Sequence, residues 1–559
     1  MQQVRGEFCS FNVLTSISHR VIRGNMDRQS DLATLRQRWY DMGFYGARTL
    51  SQEMLAGAAQ HSDVRMIFHS DENPREATLG EMADLSRRLA TGLRALGLKE
   101  GDVIGVQVPN WLEGVVTYQA AMHLGLVIVP IIHIYGAAEV GFILRQSGAK
   151  ALVAPAAWRN INYEERINEV REATDIEHVI IIGDDSGRIG VPWSSLVTDT
   201  PIDPHVGDPD QVCVIVYTSG TTAEPKGVQH THNTLLAEIK SIEAFLYTAG
   251  RSVALAAFPA GHIAGVLSQL RMFVFGVNMI LMDQWNSDDA SMLVEKYGVT
   301  NTSGAPIFLR TLMDSATAHG RDITSIRNYM VGAASVPPAL VEESHNRGLF
   351  VYRAYGSSEH PVVTTGTPED PLDKRMHTDG RLTPGNEVRF VDDDYNDVPL
   401  GAEGEIAVRG PEQFIGYRDS ALDAVSFLPG GWFLTGDIGR IDADGYLTIT
   451  DRKKDVIIRG GENIASKEVE DILARHPSVA EAAVVGMPDD KYGERVCAFV
   501  VLRPGGSLNL DDVQSHFVAE KVARQKTPER IIVVPDFPRA MSGKVKKFEL
   551  RAQLKNEFR

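Results

Sequence analysis

Residues 212–228 read VCVIVYTSGTTAEPKGV. The run VCVIVY is short, apolar and β-branched, and turn residues follow it, which is the pattern of a buried strand. The strand runs out into a loop with hydroxyls at Thr218, Ser219, Thr221 and Thr222 around Gly220, closed by Lys226 between Pro225 and Gly227. In α/β proteins ligands sit beyond the C-terminal ends of parallel strands. Hydroxyls and backbone N–H groups cradle phosphate oxygens, and a lysine adds a mobile point charge. A surface turn rich in Ser, Thr and Gly is the plainer reading, but the density of phosphate donors at a strand end favours a phosphate loop. The order Pro-Lys-Gly is not the GxxxxGK[ST] of a Walker loop, and no two glycines in the chain stand in G-x-G spacing, so a dinucleotide fingerprint is excluded.

Working outward, strand-like runs recur between helical patterns. Thr78 and Glu81 form a capping-box signature, after which Met82, Leu85, Leu89, Leu93 and Leu96 repeat at helical spacing until Gly97. The runs DVIGVQVP (102–109), LVIVP, HVIIIG, SVALAAFP, NMILM, YMVGAA and LFVYRAYG continue the alternation. The fold expected is α/β: a large N-terminal domain of mainly parallel sheets. After about residue 385 the pattern changes to short strands with Gly turns (NEVRFVDDD, GEIAVRG, GYLTITD), a small β-rich subdomain. Beyond DRKK comes a compact α+β segment, with a helix over 466–476 capped by Ser466 and stopped by Pro477, and a second helix near 510–524. The expected division is 1–450, a hinge at 451–454 and a small mobile domain over 455–559. The first 50 residues form an extension with one amphipathic helix (Leu32, Leu35, Trp39, Met42) whose role is not legible.

A chain of 559 residues exceeds the roughly 250–300 at which a single core stops growing. A net charge of −17 disfavours nucleic acid or an anionic membrane as the main partner. Basic spots are local, at DRKKDVIIR (451–459) and SGKVKK (542–547). Cys9, Cys213 and Cys497 lie far apart without metal spacing, and neither a signal peptide nor a transmembrane segment is apparent, so the expected location is the cytoplasm. The pair His230/His232 lacks a third ligand for a metal site.

Other motifs join the phosphate loop. AYGSSE (354–359) follows a strand and supplies an aromatic ring (Tyr355), a glycine (Gly356), hydroxyls (Ser357, Ser358) and a carboxylate (Glu359), which suits base stacking beside a Mg²⁺ ligand. WFLTGD (432–437) places Asp437 after a Thr-Gly turn; TGD alone is usually only a turn. PRAMSGKVKKFELR (538–551) reads by itself as a basic surface tail, and His262 in FPAGHIAG as a structural histidine.

In this order and spacing the motifs resemble the adenylate-forming superfamily of acyl-CoA synthetases, adenylation domains and luciferase, over about residues 50–551 and most closely a bacterial fatty-acyl-CoA synthetase. The resemblance rests on YTSGTTAEPKG, GHIAG, VGAASVP, AYGSSE, GEIAVRG…GY, WFLTGD, DRKKDVIIRGGENI and SGK. It implies ATP, Mg²⁺ and coenzyme A. Thr218, Ser219, Gly220, Thr221, Thr222 and Lys226 would hold phosphates, with Glu359 and Thr221 on the metal. Tyr355 would stack on adenine beside Gly332, Ala333 and Ala334, with Gly356, Ser357 and Ser358 completing that loop. Asp437 and Arg452 would hold ribose, Lys454 would be the hinge, and Lys544 would serve adenylation. Gly460 and Gly461 would let pantetheine approach backbone, and His262 would stand between the carboxylate and the acyl pocket. Two positions depart from the family pattern: Ala223 replaces a glycine and Ser358 a threonine. Ala264 and Gly265 after His262 lean towards an aliphatic or alicyclic acid, and Arg353 is an alternative contact for a polar substrate group.

The reaction implied is activation of a carboxylic acid as acyl-AMP, with release of pyrophosphate, followed by transfer to coenzyme A. The alternatives are an adenylating ligase that loads a carrier-protein thiol and a catalytically silent nucleotide-binding module. A homodimer is left open.

Overall fold

The computed structural model describes residues 28–183, 186–218, 224–242, 252–540 and 542–557. Ser219, Gly220, Thr221, Thr222 and Ala223 therefore lie outside the described residues. Two large sheets face each other across buried helices. One has the strand order Gly416–Tyr417, Lys226–Thr231, Val212–Thr218, Val127–Pro130, Val103–Val106, Ala149–Pro155, His178–Ile182, Val191–Pro192. The other runs Arg381–Leu382, Thr364–Thr365, Val351–Tyr355, Asn328–Val331, Asn301–Gly304, Val253–Ala256, Asn278–Met282, Arg65–His69, Arg75–Thr78. Their central strands pair in parallel, and antiparallel strands close three of the four edges, the strand Val191–Pro192 closing the fourth in parallel, as expected from the alternating pattern.

The main core lies between these sheets, where Ile104, Val106, Val214 and Val216 of one meet the same apolar cluster as Met66, Phe68, Ala256 and Leu281 of the other. The helix Leu112–His123 crosses this core with every residue from Glu113 to His123 buried, the behaviour of a helix enclosed on all sides. The helix Leu79–Ala95 begins at the capping box read from the sequence: the Glu81 N–H donates to the Thr78 hydroxyl, and the Thr78 N–H donates to the Glu81 carboxylate at 2.8 Å.

Residues beyond 385 form a separate antiparallel sheet from Glu387–Val391, Gly404–Arg409, Trp432–Ile441, Phe427–Leu428 and Leu447–Arg452. The chain after Asp455 builds another, from Glu462–Ile464, Ile457–Arg459, Gly493–Leu502, Val479–Asp489 and Arg530–Val533, with its own apolar clusters.

Several expectations need correction. The helix expected over 466–476 spans Ser466–Leu473, and Ala465 holds the cap position. Ser466 instead donates its N–H and its hydroxyl to the Asp451 carboxylate, at 2.6 and 3.0 Å. The helix expected near 510–524 is Leu510–Ala519, because Lys521 adopts a left-handed backbone (φ 56°) that ends it. In the N-terminal extension, residues 28–41 are helical, with Leu35 and Trp39 buried, but Met42 falls beyond the helix and is exposed. That helix ties the extension to the β-rich sheet and the phosphate-loop sheet. Arg28 stacks 3.3 Å over the Phe427 ring, Asp31 accepts from the Gly430 N–H, Arg38 pairs with Glu387, and Tyr40 donates to Asp210.

Candidate active site

The strands place the candidate residues in three groups. The first lies at the end of the hydroxyl-loop strand. Antiparallel register sets Lys226 opposite Thr218 across the two strands. On its other edge the Lys226 strand pairs with Gly416–Tyr417. The Lys226 ammonium sits 5.2 Å from the Tyr417 ring centroid, and the Tyr417 hydroxyl donates to Glu359 Oε1 at 2.7 Å. Burial and the Glu359 carboxylate push the Tyr417 phenol pKa up, which keeps it a donor. Lys226 and Glu359 are thereby joined through an aromatic ring. Glu359 offers a hard oxygen ligand, and among the described residues no three His, Cys, Asp or Glu side chains gather into a metal cage. This donor set fits Mg²⁺, which takes one or two carboxylates and completes its shell with phosphate and water oxygens.

The second group is built on neighbouring strand ends. Tyr355 closes the strand Val351–Tyr355 and donates its hydroxyl to Asp437 Oδ2 at 2.8 Å. Asp437 and Arg452 are cross-strand partners, and Arg452 Nε donates to Asp437 Oδ1 at 2.5 Å. Beside them Ala333 is held at φ 65°, a left-handed conformation costly for a residue with a Cβ, flanked by Gly332 and Ala334. Gly356 lets the chain fold back: a Cβ there would lie 2.0 Å from the Pro361 carbonyl oxygen. Ser357 and Ser358 follow in that turn, where the Ser357 N–H donates to the His360 carbonyl.

The third group joins the C-terminal segment to the core of the molecule. Gly543 (φ 84°) packs against Ala305 and Ile307, and a Cβ on it would meet their side chains at 2.8 and 3.0 Å. This contact sets the next residue, Lys544, near Arg452, Asp437 and Lys454. Enclosure by surrounding protein, then the nearby Arg452 guanidinium, push its pKa down to about 8, with Asp437 opposing. Lys454 is pushed to about 8 by the same two causes. Three cations, Arg452, Lys454 and Lys544, therefore stand around two carboxylates, Asp437 and Asp455, leaving a net positive charge that favours an arriving polyanion. His262 caps the helix Ile263–Phe275: its Nδ1 accepts from the Ala264 N–H at 3.2 Å, and its ring stacks on Phe258. Enclosure first and Lys544 second hold its pKa near 4, so the ring is neutral at pH 7. Because Nδ1 accepts, the proton resides on Nε2, which is free to donate.

Three expectations fare differently. Arg353 does not wait for a substrate: it is buried, its guanidinium donates twice to Asp379 at 2.7 and 3.0 Å, and it reaches the Met376 carbonyl as well. Gly265 packs closely against the preceding turn, where a Cβ would lie 2.0 Å from the Pro259 carbonyl oxygen, so its missing side chain is required by packing. Gly460 and Gly461, at φ 61° and 89°, form the turn between the strands Ile457–Arg459 and Glu462–Ile464, and the structure does not bring them to the other candidates. The pair His230/His232 is spent on the protein: His230 bonds the Ser358 carbonyl and Thr234, and His232 accepts from the Leu50 N–H.

The AMP-binding enzyme family matches residues 55–418, and the AMP-binding enzyme C-terminal domain matches residues 468–544. The chain belongs to the AMP-binding enzyme family. Among relatives of this family member, the medium-chain fatty-acid–CoA ligase of Escherichia coli (strain K12) is 36% identical over 531 residues, 93% of each chain. The fatty acid–[acyl-carrier-protein] ligase ScoC of Streptomyces coeruleorubidus is 31% identical over 511 residues, 87% of this chain and 94% of its own. The solved structure of ATP-bound MatB from Rhodopseudomonas palustris superposes with a TM-score of 0.81 at 25% identity, covering 92% of this chain and all of that one.

Two site residues of this AMP-binding enzyme escaped sequence reasoning. Tyr417 stood in view as the tyrosine of GEIAVRG…GY, but its partner Glu359 is 58 residues away. His230 holds the Ser358 carbonyl at 2.8 Å, and only the pairing of two distant loops reveals it.

Proposed function

We propose that this chain is an AMP-forming acid–thiol ligase. A carboxylate oxygen attacks the α-phosphorus of ATP, the bond to the β-phosphate oxygen breaks, and pyrophosphate leaves with an acyl-AMP formed. The thiol of coenzyme A then attacks the acyl carbon, loses its proton, and AMP departs. The observation that carries this reading is Lys544 standing where the Asp437–Arg452 pair and His262 converge. One cation there can serve both a nucleotide and an acid. Charge develops on phosphoryl oxygens in the first step, so fixed donors and cations are what it requires. Lys226 and the hydroxyl loop would bind the departing pyrophosphate, and Glu359 would hold Mg²⁺, whose charge neutralises the phosphates. Asp437, steadied by Tyr355 and Arg452, is suited to ribose hydroxyls, and His262 Nε2–H to one carboxylate oxygen.

Thiol attack needs Lys544 withdrawn and a path for pantetheine opened, so we assign rotation of the segment after Lys454, with the turn Gly460–Gly461 as the face brought in. The buried cysteines Cys213 and Cys497 suit a reducing cytoplasm, and a homodimer is compatible with the reading. Release of pyrophosphate with a carboxylic acid, followed by a CoA thioester detected by mass without any carrier protein, is the expected result. Pyrophosphate release with no thioester until a phosphopantetheinyl carrier is added would favour the carrier-loading alternative.

A further inference from the structure

The helix Ile263–Phe275 is enclosed by protein, yet not uniformly. Ser268 keeps 7% and Arg271 6% of its surface accessible, whereas Leu270, Met272 and Phe273 keep 1% or less. Ala264, near the helix start, is only half-buried. Positions 264, 268 and 271 are related as i, i+4 and i+7, so they share one face of the helix. At 1.5 Å per residue it runs about 10 Å from Ala264, beside His262, to Arg271. Its walls are small at first, with Ala264 and then Ser268, whose hydroxyl turns back to the Ala264 carbonyl. It ends on a buried ion pair between Arg271 Nη2 and Glu238 Oε1. Among the described residues, Arg271 Nε and Glu238 Oε2 have no hydrogen-bond partner, although Glu238 is fully buried. Such atoms are costly to leave unmet. Neighbouring Glu412 is engaged elsewhere: its oxygens accept from the Val362 N–H, Thr383 and Asn386.

We propose that this face walls the acyl passage, and that the Arg271–Glu238 pair at its end recognises a hydroxyl carried at the far end of a medium-length acid. The inference rests on the acid-activating reading above. A hydroxyl accepts from Arg271 Nε and donates to Glu238 Oε2, matching one unmet donor and one unmet acceptor. A terminal methyl satisfies neither atom, and a second carboxylate would face Glu238 and Glu412. A site built around a substrate hydroxyl discriminates strongly against the analogue that lacks it.

The test compares kcat/KM, by pyrophosphate release and thioester formation, for octanoic against ω-hydroxyoctanoic acid and decanoic against ω-hydroxydecanoic acid, with butyric acid as a control too short to reach the pair. The expected result is a preference of about tenfold or more for the hydroxy acid in at least one pair. In Glu238→Leu/Arg271→Met that preference falls at least tenfold while butyrate turnover is kept. Plain acids that equal or outrun their hydroxy partners at both lengths overturn the inference and leave the acid-activating reading standing. A double variant that keeps the hydroxy preference also overturns it. Should that variant not fold, the wild-type ratios decide alone. Failure of every acid, butyrate included, to release pyrophosphate overturns the functional reading and this inference with it.

Discussion

On the proposed reading, Lys544 is the residue whose protonation state decides the first half-reaction. Its pKa is depressed to about 8, so its cation is complete well below that pH and lost as pH rises through it. For acyl-AMP formation, kcat/KM for ATP is therefore expected to fall as pH rises through about 8. Lys544→Arg, with a guanidinium that does not titrate there, should be slower at every pH but lose that fall. A wild-type profile flat through this region would remove Lys544 from the account. His262, already neutral above about 4, should add no limb of its own near neutrality. At the proposed metal end, Tyr417→Phe deletes the hydroxyl that donates to Glu359. Groups that orient a metal ligand typically contribute about 10–100-fold to metal affinity. The Mg²⁺ concentration for half-maximal rate should rise by at least about tenfold on that basis, with the KM for the acid unchanged; an unchanged Mg²⁺ requirement would separate Tyr417 from metal binding.

At the scale of elements, the junction between the β-rich sheet and the C-terminal segment holds both sides of the proposed hinge. Asp451, on the strand Leu447–Arg452, receives two hydrogen bonds from Ser466 across it. Asp455, on the far side, is tied to Arg551 of the helix Lys547–Glu557. Rotation at Lys454 would break the first contact and keep the second. Lys454→Pro restricts φ there, so acyl-AMP formation should persist within severalfold while conversion of supplied acyl-AMP and coenzyme A into thioester falls by roughly a hundredfold or more. Parallel loss of both half-reactions would place the hinge elsewhere. Gly543→Ala acts in the opposite sense. Its Cβ would clash with Ala305 at 2.8 Å, on a backbone at φ 84° that alanine resists. Acyl-AMP synthesis should collapse while thioester formation from supplied acyl-AMP is preserved, each half-reaction being assayed separately. Equal losses in the two would reduce Gly543 to a folding requirement.

For the whole molecule, what was legible in the sequence was what local pattern encodes. The alternating apolar runs announced parallel sheets, Thr78 and Glu81 announced a helix start, and the motif order carried the family. What stayed hidden depends on contacts between distant segments. Arg353 lies within a strand and looked available, yet Asp379, 26 residues on, neutralises it. Gly265 looked like a widened pocket, but its missing Cβ makes room for the Pro259 carbonyl oxygen. Ser466 had the chemistry of a helix cap and was drawn instead to Asp451. The N-terminal extension showed an apolar face but not its partners, Phe427 and Gly430, about 400 residues away along the chain.

The central claim is that one lysine, delivered by the C-terminal segment, serves the adenylation step and not thiol transfer. Removing a preorganised cation from a charge-developing site costs about 3 kcal/mol or more, roughly a hundredfold to a thousandfold in rate. The most direct measurement assays Lys544→Ala in each half-reaction: pyrophosphate release from ATP and acid, and thioester formation from supplied acyl-AMP and coenzyme A. The account predicts the first reduced by at least that factor and the second within severalfold of wild type. Comparable losses in both, or no loss in either, would contradict it.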